Sequence, residues 1–205
     1  MNIIDISKTI SEDMVVYGNE DAKRIKRNIV MDYAFGSYHE SRIDMDMHCG
    51  THIDAPLHMV ENGNTIDSVD LSRFIGDCKV YDLTHVTDYI VKRDIENLDI
   101  QKDDIILFKT KNSYVTGYDA KFIYLEEDAA HYLAAIQIKC IGIDAMGIER
   151  DKPKHEIHKI ILEQNIGIIE NLQLKEVEAG KYFLSCLPLK IQGCEASPAR
   201  AILSF

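Results

Sequence analysis

The sequence predicts a mixed α/β or α+β domain in which strands outnumber helices. Short apolar segments with the strand period alternate along the chain with a few helical patterns. The 205 residues suffice for one well-formed core and fall below the length at which chains commonly divide. No low-complexity run, linker or repeat interrupts them. We therefore expect one domain over residues 1–205, although the order of its strands is not readable from the pattern.

The individual strands and helices follow from local patterns, taken in chain order. Residues 126–135 have acidic residues before an alanine-rich body, which is typical of a helix. Residues 155–164 place Ile157, Ile160 and Ile161 on one helical face, and the charged residues 91–98 are a third helical candidate. Continuous apolar runs or period-two alternation predict strands at residues 3–7, 43–48, 78–83, 104–109, 139–144, 168–170, 182–187 and 201–205.

Charge and composition exclude several classes of function. With 34 acidic and 23 basic residues, the formal net charge of −11 argues against nucleic acid or an anionic membrane as the main partner. No apolar run approaches the roughly 18 residues of a membrane span, and the N-terminus lacks a secretory signal, so we expect a cytoplasmic protein. The five cysteines are odd in number and widely spaced, which predicts reduced thiols instead of a disulfide framework.

Residues 48–58, with the sequence His-Cys-Gly-Thr-His-Ile-Asp-Ala-Pro-Leu-His, indicate a divalent-metal centre. If residues 51–55 are extended, His52 and Asp54 share one face, and the glycine after Cys49 lets the chain turn away from His48. A helix that aligns the two histidines is the poorer choice because a glycine and two β-branched residues would lie in it. Two imidazoles and a carboxylate suit zinc and also manganese. The alternative is a loop of exposed, hydrogen-bonded histidines.

Three more residues are candidates for the same centre. A site built for chemistry also needs a base that is not a ligand, and His58 is the natural candidate, with a fourth ligand or a surface histidine as the alternative. Glu170 ends an apolar strand, where a buried acid needs a metal or a basic side chain as partner. His158 lies at the edge of the apolar face of its helix, twelve residues earlier. Three further histidines are of a kind more often structural than catalytic: His85, His131 and His155.

The segment 48–58 resembles the His-x-Gly-Thr-His-x-Asp-x-Pro-x-His signature of the cyclase family, metal-dependent hydrolases that include bacterial kynurenine formamidases. The similarity continues in order along nearly the whole chain. It includes the segments Ile4-Asp-Ile-Ser7, Gly142-Ile-Asp-Ala145, Ile169-Glu-Asn-Leu172, Leu187-Pro-Leu-Lys190 and Ser197-Pro-Ala-Arg200.

The resemblance implies a role for each candidate. His48, His52 and Asp54 match the ligands of a first metal, and Asp54 also reaches a second. His158 matches a ligand of the second metal, Glu170 matches a glutamate that bridges both, and His58 matches an unligated histidine that moves protons. The family further implies a compact structure with a central β-barrel-like core and flanking helices. Two zinc ions per subunit, with manganese as the alternative, and a homodimer or homotetramer are also expected.

One departure concerns the substrate. Formamidases of the family have a Trp-Pro-Gly-Asp segment whose tryptophan stacks on the aromatic substrate, whereas this chain has Tyr17-Gly-Asn-Glu and no tryptophan. Tyr17 can still offer a ring face. We therefore expect hydrolysis of a small-molecule amide, with conversion of N-formylkynurenine to kynurenine and formate as the candidate reaction. The alternatives are lactam hydrolysis of the isatin hydrolase type and a metal-binding module without turnover.

Overall fold

The computed structural model describes residues 1–205 and contains twelve strands and three α-helices, joined by turns and short 3₁₀ helices. The first half contains β1 (Ile3–Asp5), β2 (Lys26–Met31), β3 (Glu40–Asp44), β4 (His52–Asp54), β5 (Ile75–Asp82), β6 (Tyr89–Ile90) and α1 (Lys92–Ile95). The second half contains β7 (Ile105–Lys109), β8 (Tyr124–Leu125), α2 (Glu127–Ile136), β9 (Cys140–Ile143), α3 (Glu156–Glu163), β10 (Gly167–Glu170), β11 (Gly180–Pro188) and β12 (Ala196–Ser204).

Eight of the strands form one sheet that closes into a seven-stranded barrel. The strand order is β1-β12-β11-β5-β7-β9-β10-β4, and a further pairing joins β4 to β12. Because β12 is long, its first residues pair with β4 and its last with β1 along the same edge. The pairs β5–β7, β7–β9 and β9–β10 are parallel, and the others in the sheet are antiparallel. β4 is therefore the strand that closes the barrel.

The two faces of the barrel wall bury two separate apolar cores. In β7, Ile105 and Leu107 face the barrel interior, and Ile106 and Phe108 face outward. The outer face is covered by α2 and α3, which contribute residues such as Leu133 to the outer core. Strands that are buried on both faces need a continuous apolar sequence, and the apolar residues of β7 therefore predicted a buried strand.

The strands β2 and β3 form a hairpin apart from the barrel. All of their residues are exposed except the partly buried Met31. The exposed apolar side chains of the hairpin and its loop are Ile29, Val30, Tyr33, Phe35, Tyr38 and Ile43. None of the three helices has the length and hydropathy needed to cross a membrane.

The predicted mixed fold with a central barrel and flanking helices is confirmed. The predicted strand at residues 43–48 is wrong beyond Asp44, because the following residues form a turn. In this turn the carboxylate of Asp46 accepts a hydrogen bond from the amide of His48 at 2.9 Å, an arrangement that competes with strand pairing. The sequence pattern also missed β2 and the first residues of β12. All five cysteines are free, as predicted.

Candidate metal centre

The turn before β4 brings His48 and His52 to the same place. The backbone carbonyl of Asp46 accepts a hydrogen bond from Cys49 at 3.2 Å, which closes the turn. Gly50 follows with a φ of 64°, a conformation that favours glycine. The extended conformation predicted for residues 51–55 is confirmed at β4. His52 and Asp54 therefore project from one face of that strand, and the intervening Ile53 faces the barrel interior.

The pairing of β4 with β10 supplies the glutamate. Glu170 lies directly opposite His52 in the antiparallel register, so the two side chains share a face and are neighbours. The Nε2 atom of His52 lies 3.3 Å from Oε2 of Glu170 and 3.5 Å from Oδ1 of Asp54. These three side chains are almost completely buried in the barrel wall.

Two histidines from other elements complete the cluster. The Nδ1 atom of His48, in the turn, lies 3.1 Å from Oδ1 of Asp54. The Nε2 atom of His158, on α3, lies 3.6 Å from the other carboxylate oxygen of Asp54 and 3.3 Å from Oε1 of Glu170. Asp54 thus lies between the histidines: His48 and His52 face its Oδ1 atom, and His158 faces its Oδ2 atom. The structure brings together all five residues that the sequence singled out as ligands.

The donor atoms of the cluster fit a divalent metal. Both oxygens of Asp54 and the Nε2 atom of His52 are buried and make no hydrogen bond within the protein. The Nδ1 atom of His52 lies 2.8 Å from the carbonyl oxygen of Gly50. Because a carbonyl can only accept, this contact places a ring proton on Nδ1, so Nε2 is the nitrogen that can bind a metal. Buried polar atoms without partners are costly, and imidazole and carboxylate donors are those that zinc prefers. The protein is therefore built to bind metal here.

Glu149 holds His155 and His158 in place, and no pattern in the sequence indicated this role. Its Oε1 atom lies 2.9 Å from Nδ1 of His158 and 2.7 Å from Nδ1 of His155. Its Oε2 atom accepts hydrogen bonds from the amides of Ile157 and His158 at the start of α3. One carboxylate therefore fixes the beginning of the helix and directs Nε2 of His158 towards Asp54 and Glu170. Such a carboxylate–histidine contact orients a metal ligand and raises its basicity.

The buried charges shift the pKa values of the cluster strongly. Burial lowers the pKa of His52, but the close contact with Glu170 and the charges of Asp54 and Glu170 outweigh it and raise the pKa to about 9. Burial raises the pKa of Glu170, as does the charge of Asp54, yet His158 and His52 bring it down to about 2. In the metal-free protein the carboxylates are ionised, and the histidines between them attract protons. A divalent cation supplies the same positive charge and takes the place of those protons.

His58 lies beside this cluster without a hydrogen bond to it. Its ring centroid is 4.1 Å from that of His48 and 5.4 Å from that of His158. Burial lowers the pKa of His58 to about 4; the attraction of Asp54 opposes this shift, and His48 and His158 reinforce it. His58 is therefore a neutral imidazole at neutral pH, with one ring nitrogen able to accept a proton.

A cavity of about 230 Å³ opens onto the cluster and is lined by His58, Glu170 and His158 at its base. Tyr17 lines the wall, with 43% of its surface exposed, and its ring packs edge-on against Phe122 at a centroid distance of 6.4 Å. His155, which the sequence placed among structural histidines, is also a lining residue. His85 and His131 line none of this cavity. A small molecule that enters this cavity meets the aromatic ring of Tyr17, the neutral imidazole of His58 and, at the bottom, the metal-binding cluster.

A buried group of histidines and carboxylates that opens onto a cavity is the arrangement expected of a metal-dependent hydrolase. The chain belongs to the cyclase family: residues 4–150 match the family model "Putative cyclase". It is 32% identical to a kynurenine formamidase of Erythrobacter litoralis over 98% of this chain and 93% of that protein. It is 50% identical to a "predicted metal-dependent hydrolase" of Bacillus stearothermophilus, with a TM-score of 0.91, covering 98% of this chain and 97% of that one.

A more distant structure has the same fold. Isatin hydrolase A from Labrenzia aggregata is 22% identical, with a TM-score of 0.84, and the match covers 98% of this chain and 93% of that chain. At this identity the likeness concerns the fold alone. The family membership expected from residues 48–58 is confirmed.

Three residues of the site were not anticipated from the sequence: Glu149, His155 and the cavity-lining Lys23. Glu149 and His155 follow an irregular segment without a recognisable pattern, and the left-handed backbone of His155, with a φ of 55°, is not readable from residue types. The nearest signal was the spacing of two histidines, His155 and His158, at the start of a predicted helix. Histidines three apart on a helix lie on neighbouring positions of one face.

Proposed function

We propose that this protein is a metal-dependent hydrolase of the carbon–nitrogen bond in small amides, of the arylformamidase type, with N-formylkynurenine as the candidate substrate. The observation that carries the proposal is the neutral, partly buried His58 beside the histidine–carboxylate cluster, at the base of a cavity with an aromatic wall. The similarity to kynurenine formamidases over almost the whole chain supports it. Similarity to a metal-dependent hydrolase at 50% identity supports the reaction class.

The cluster has donors for two ions, zinc by preference and manganese as the alternative. His48, His52 and Asp54 would hold one ion, and His158 with Glu170 and the second oxygen of Asp54 would hold the other. When bound, such ions polarise the amide carbonyl and lower the pKa of water, which makes hydrolysis possible near neutral pH.

The residues of the chain supply the proton transfers and the orientation. His58 accepts a proton from the attacking water on its unprotonated ring nitrogen, since its pKa of about 4 leaves it neutral beforehand. It then donates that proton to the departing aryl nitrogen, because an amine anion is a poor leaving group. Water thus adds to the carbonyl carbon, the carbon–nitrogen bond breaks, and the products are formate and the aryl amine. Tyr17 packs against the aryl ring, and Glu149 keeps His158 in place.

The proposal is tested by metal analysis of the purified protein combined with a substrate panel. N-formylkynurenine, isatin and a simple dipeptide are each offered to protein loaded with zinc or with manganese. We expect formamide hydrolysis that disappears on chelation and returns with metal. Turnover of isatin alone would assign the lactam-hydrolase alternative, and bound metal without turnover of any amide would assign a metal-binding module.

We also propose that the protein forms a homodimer or homotetramer. The apolar side chains of the β2–β3 hairpin support this, because Tyr33 and Phe35 are 74% and 86% exposed. Exposed apolar groups at this density mark interaction surfaces more often than free surface. The cytoplasmic location and the absence of nucleic-acid or membrane partners stay predictions.

A further inference from the structure

We infer that Lys23 is a specificity-determining residue that binds a carboxylate of the substrate, so that the preferred substrate is an aryl amide with an anionic group at the end remote from the scissile bond. This inference rests on the proposed amide hydrolysis. It assigns to the cavity rim a binding group that acts on the substrate and takes no part in the reaction itself.

Lys23 is the only lysine or arginine among the residues that line the cavity. Its side chain is 32% exposed, so it reaches both the cavity and the solvent. Its backbone carbonyl accepts a weak hydrogen bond from the thiol of Cys49 at 3.5 Å. That contact attaches the segment around Lys23 to the turn that carries His48, and the rim is therefore built against the metal centre.

The ammonium group of Lys23 lies over the ring of Tyr17 in the aromatic wall. The Nζ atom is 5.1 Å from the ring centroid of Tyr17, and Tyr17 in turn packs on Phe122. An aryl ring that packs against Tyr17 would therefore lie close to this ammonium group. The contact with the Tyr17 ring also restricts the flexible lysine side chain, which reduces the entropy lost when an anion binds.

The present partner of the ammonium group is easily replaced. Oε1 of Glu20 lies 3.4 Å from Nζ, and the Glu20 side chain is 56% exposed. Ion pairs between exposed groups contribute little because water screens them. A substrate carboxylate that is bound beside the aromatic wall can therefore displace Glu20 from Lys23 at a small cost in free energy.

The other charges of the cavity make the rim the place for an anion. The lining carboxylates are Asp46, Glu149 and Glu170. The last two face the histidines of the base, and Asp46 accepts the amide hydrogen bond of His48. These carboxylates repel an anionic group, and Lys23 is the one lysine or arginine of the lining that attracts it away from the metal centre. N-formylkynurenine has a carboxylate remote from its formyl group, whereas isatin has none, so the rim favours the former.

The experiment compares N-formylkynurenine with its neutral carboxamide, which differs only at the carboxylate. The zinc-loaded wild type, K23M, K23R and the matched control K26M are assayed with both compounds. Lys26 is three residues away on the exposed hairpin, and its substitution by methionine removes the same charge as K23M. We expect the wild type to prefer the acid by about tenfold in kcat/KM, and K23M to lose this preference through KM with kcat unchanged. K23R and K26M should retain it. Added salt should raise KM for the acid in the wild type, K23R and K26M, and should leave it unchanged in K23M.

A second measurement separates this inference from the proposed function. The binding of kynurenine and of kynurenine amide to zinc-loaded wild type and K23M is followed by calorimetry, which needs no turnover. If K23M keeps the wild-type preference for the acid in both measurements, Lys23 does not bind the carboxylate, whether or not amides are hydrolysed. If neither compound is hydrolysed but K23M loses selective binding of the acid, the proposed reaction is wrong and the role of Lys23 stands.

Discussion

At the scale of single residues, the metal centre contains two kinds of side chain: those that would bind the metal and one, His58, that would transfer protons. His52, Asp54 and Glu170 are buried in the barrel wall and cannot move without opening it. His58 lies on a 3₁₀ turn after Pro56 and is only partly buried, beside the ligands and free of hydrogen bonds to them. Because its pKa is lowered to about 4, His58 is neutral at neutral pH and has an unprotonated ring nitrogen that is not occupied by the cluster.

The variant His58→Ala should retain its metal and lose its activity. We expect turnover to fall by about a hundredfold or more, since this is the typical contribution of a general acid–base residue. Metal content by mass spectrometry and turnover of N-formylkynurenine are the two measurements. His131→Ala, at an exposed position of α2, is the matched control and should behave as wild type. Loss of metal from His58→Ala would show instead that His58 is a ligand.

Glu149→Gln should weaken metal binding with little effect on folding. The amide oxygen can still accept the hydrogen bonds at the start of α3, but the negative charge beside Nδ1 of His158 is lost. We expect the affinity for zinc to fall by about ten- to a hundredfold, measured by competition with a chromogenic chelator. Glu163→Gln, at the exposed end of the same helix, is the control. An unchanged affinity for zinc would mean that Glu149 only stabilises the start of α3.

At the scale of elements, what the sequence could predict depends on how local the cause is. The alternation in β4 placed His52 and Asp54 on one face because strand geometry has a period of two. The position of Glu170 opposite His52 depends on the register of β10 with β4, and these strands are more than a hundred residues apart. The turn at Asp46 was missed because the side-chain acceptor competes with a pattern that alone would predict a strand.

The start of β10 depends on a glycine for close packing. A Cβ atom on Gly167 would lie 2.6 Å from Cε1 of Phe74 and 3.1 Å from Sγ of Cys140, and Phe74 is fully buried. We expect Gly167→Ala to lower the free energy of unfolding by about 1–3 kcal/mol through overpacking, measured by urea denaturation. Gly180→Ala is the control, because its Cβ would meet only Tyr182 at 3.6 Å. Equal stability of the two variants would show that the wall around Phe74 adapts.

At the scale of the whole molecule, the hairpin of β2 and β3 is the part that the barrel does not explain. Its apolar side chains are exposed, although the rest of the chain buries two cores effectively. The sequence missed β2 because a hairpin outside the core has no buried face to impose an apolar period. The barrel closure was expected from the family resemblance alone, since strand order is a long-range property that the local patterns do not encode.

If the hairpin is the contact between subunits, Phe35→Ser should shift the protein towards the monomer. The removal of a large exposed ring from such a contact costs about 2 kcal/mol or more at a central position. Light scattering with size-exclusion chromatography over a range of concentrations measures the change. Leu71→Ser, at another exposed apolar position outside the hairpin, should leave the mass unchanged. An equal effect of both substitutions, or a monomeric wild type, would contradict the role of the hairpin.

The closing position of β4 has a consequence for the opening motions of the barrel. Only three residues of this strand bridge β10 and β12, and the backbone contact continues through the amide of Ala199 bonded to the carbonyl of Thr51 at 2.9 Å. A cation held by Asp54 of β4 and Glu170 of β10 would cross-link the same junction. Cycles of metal loading and release should therefore change the rate at which the backbone amides of this junction exchange with deuterium, while those of β7 and β9 keep theirs. Occupancy of the metal centre and local unfolding of the barrel at β4 are therefore expected to be linked equilibria.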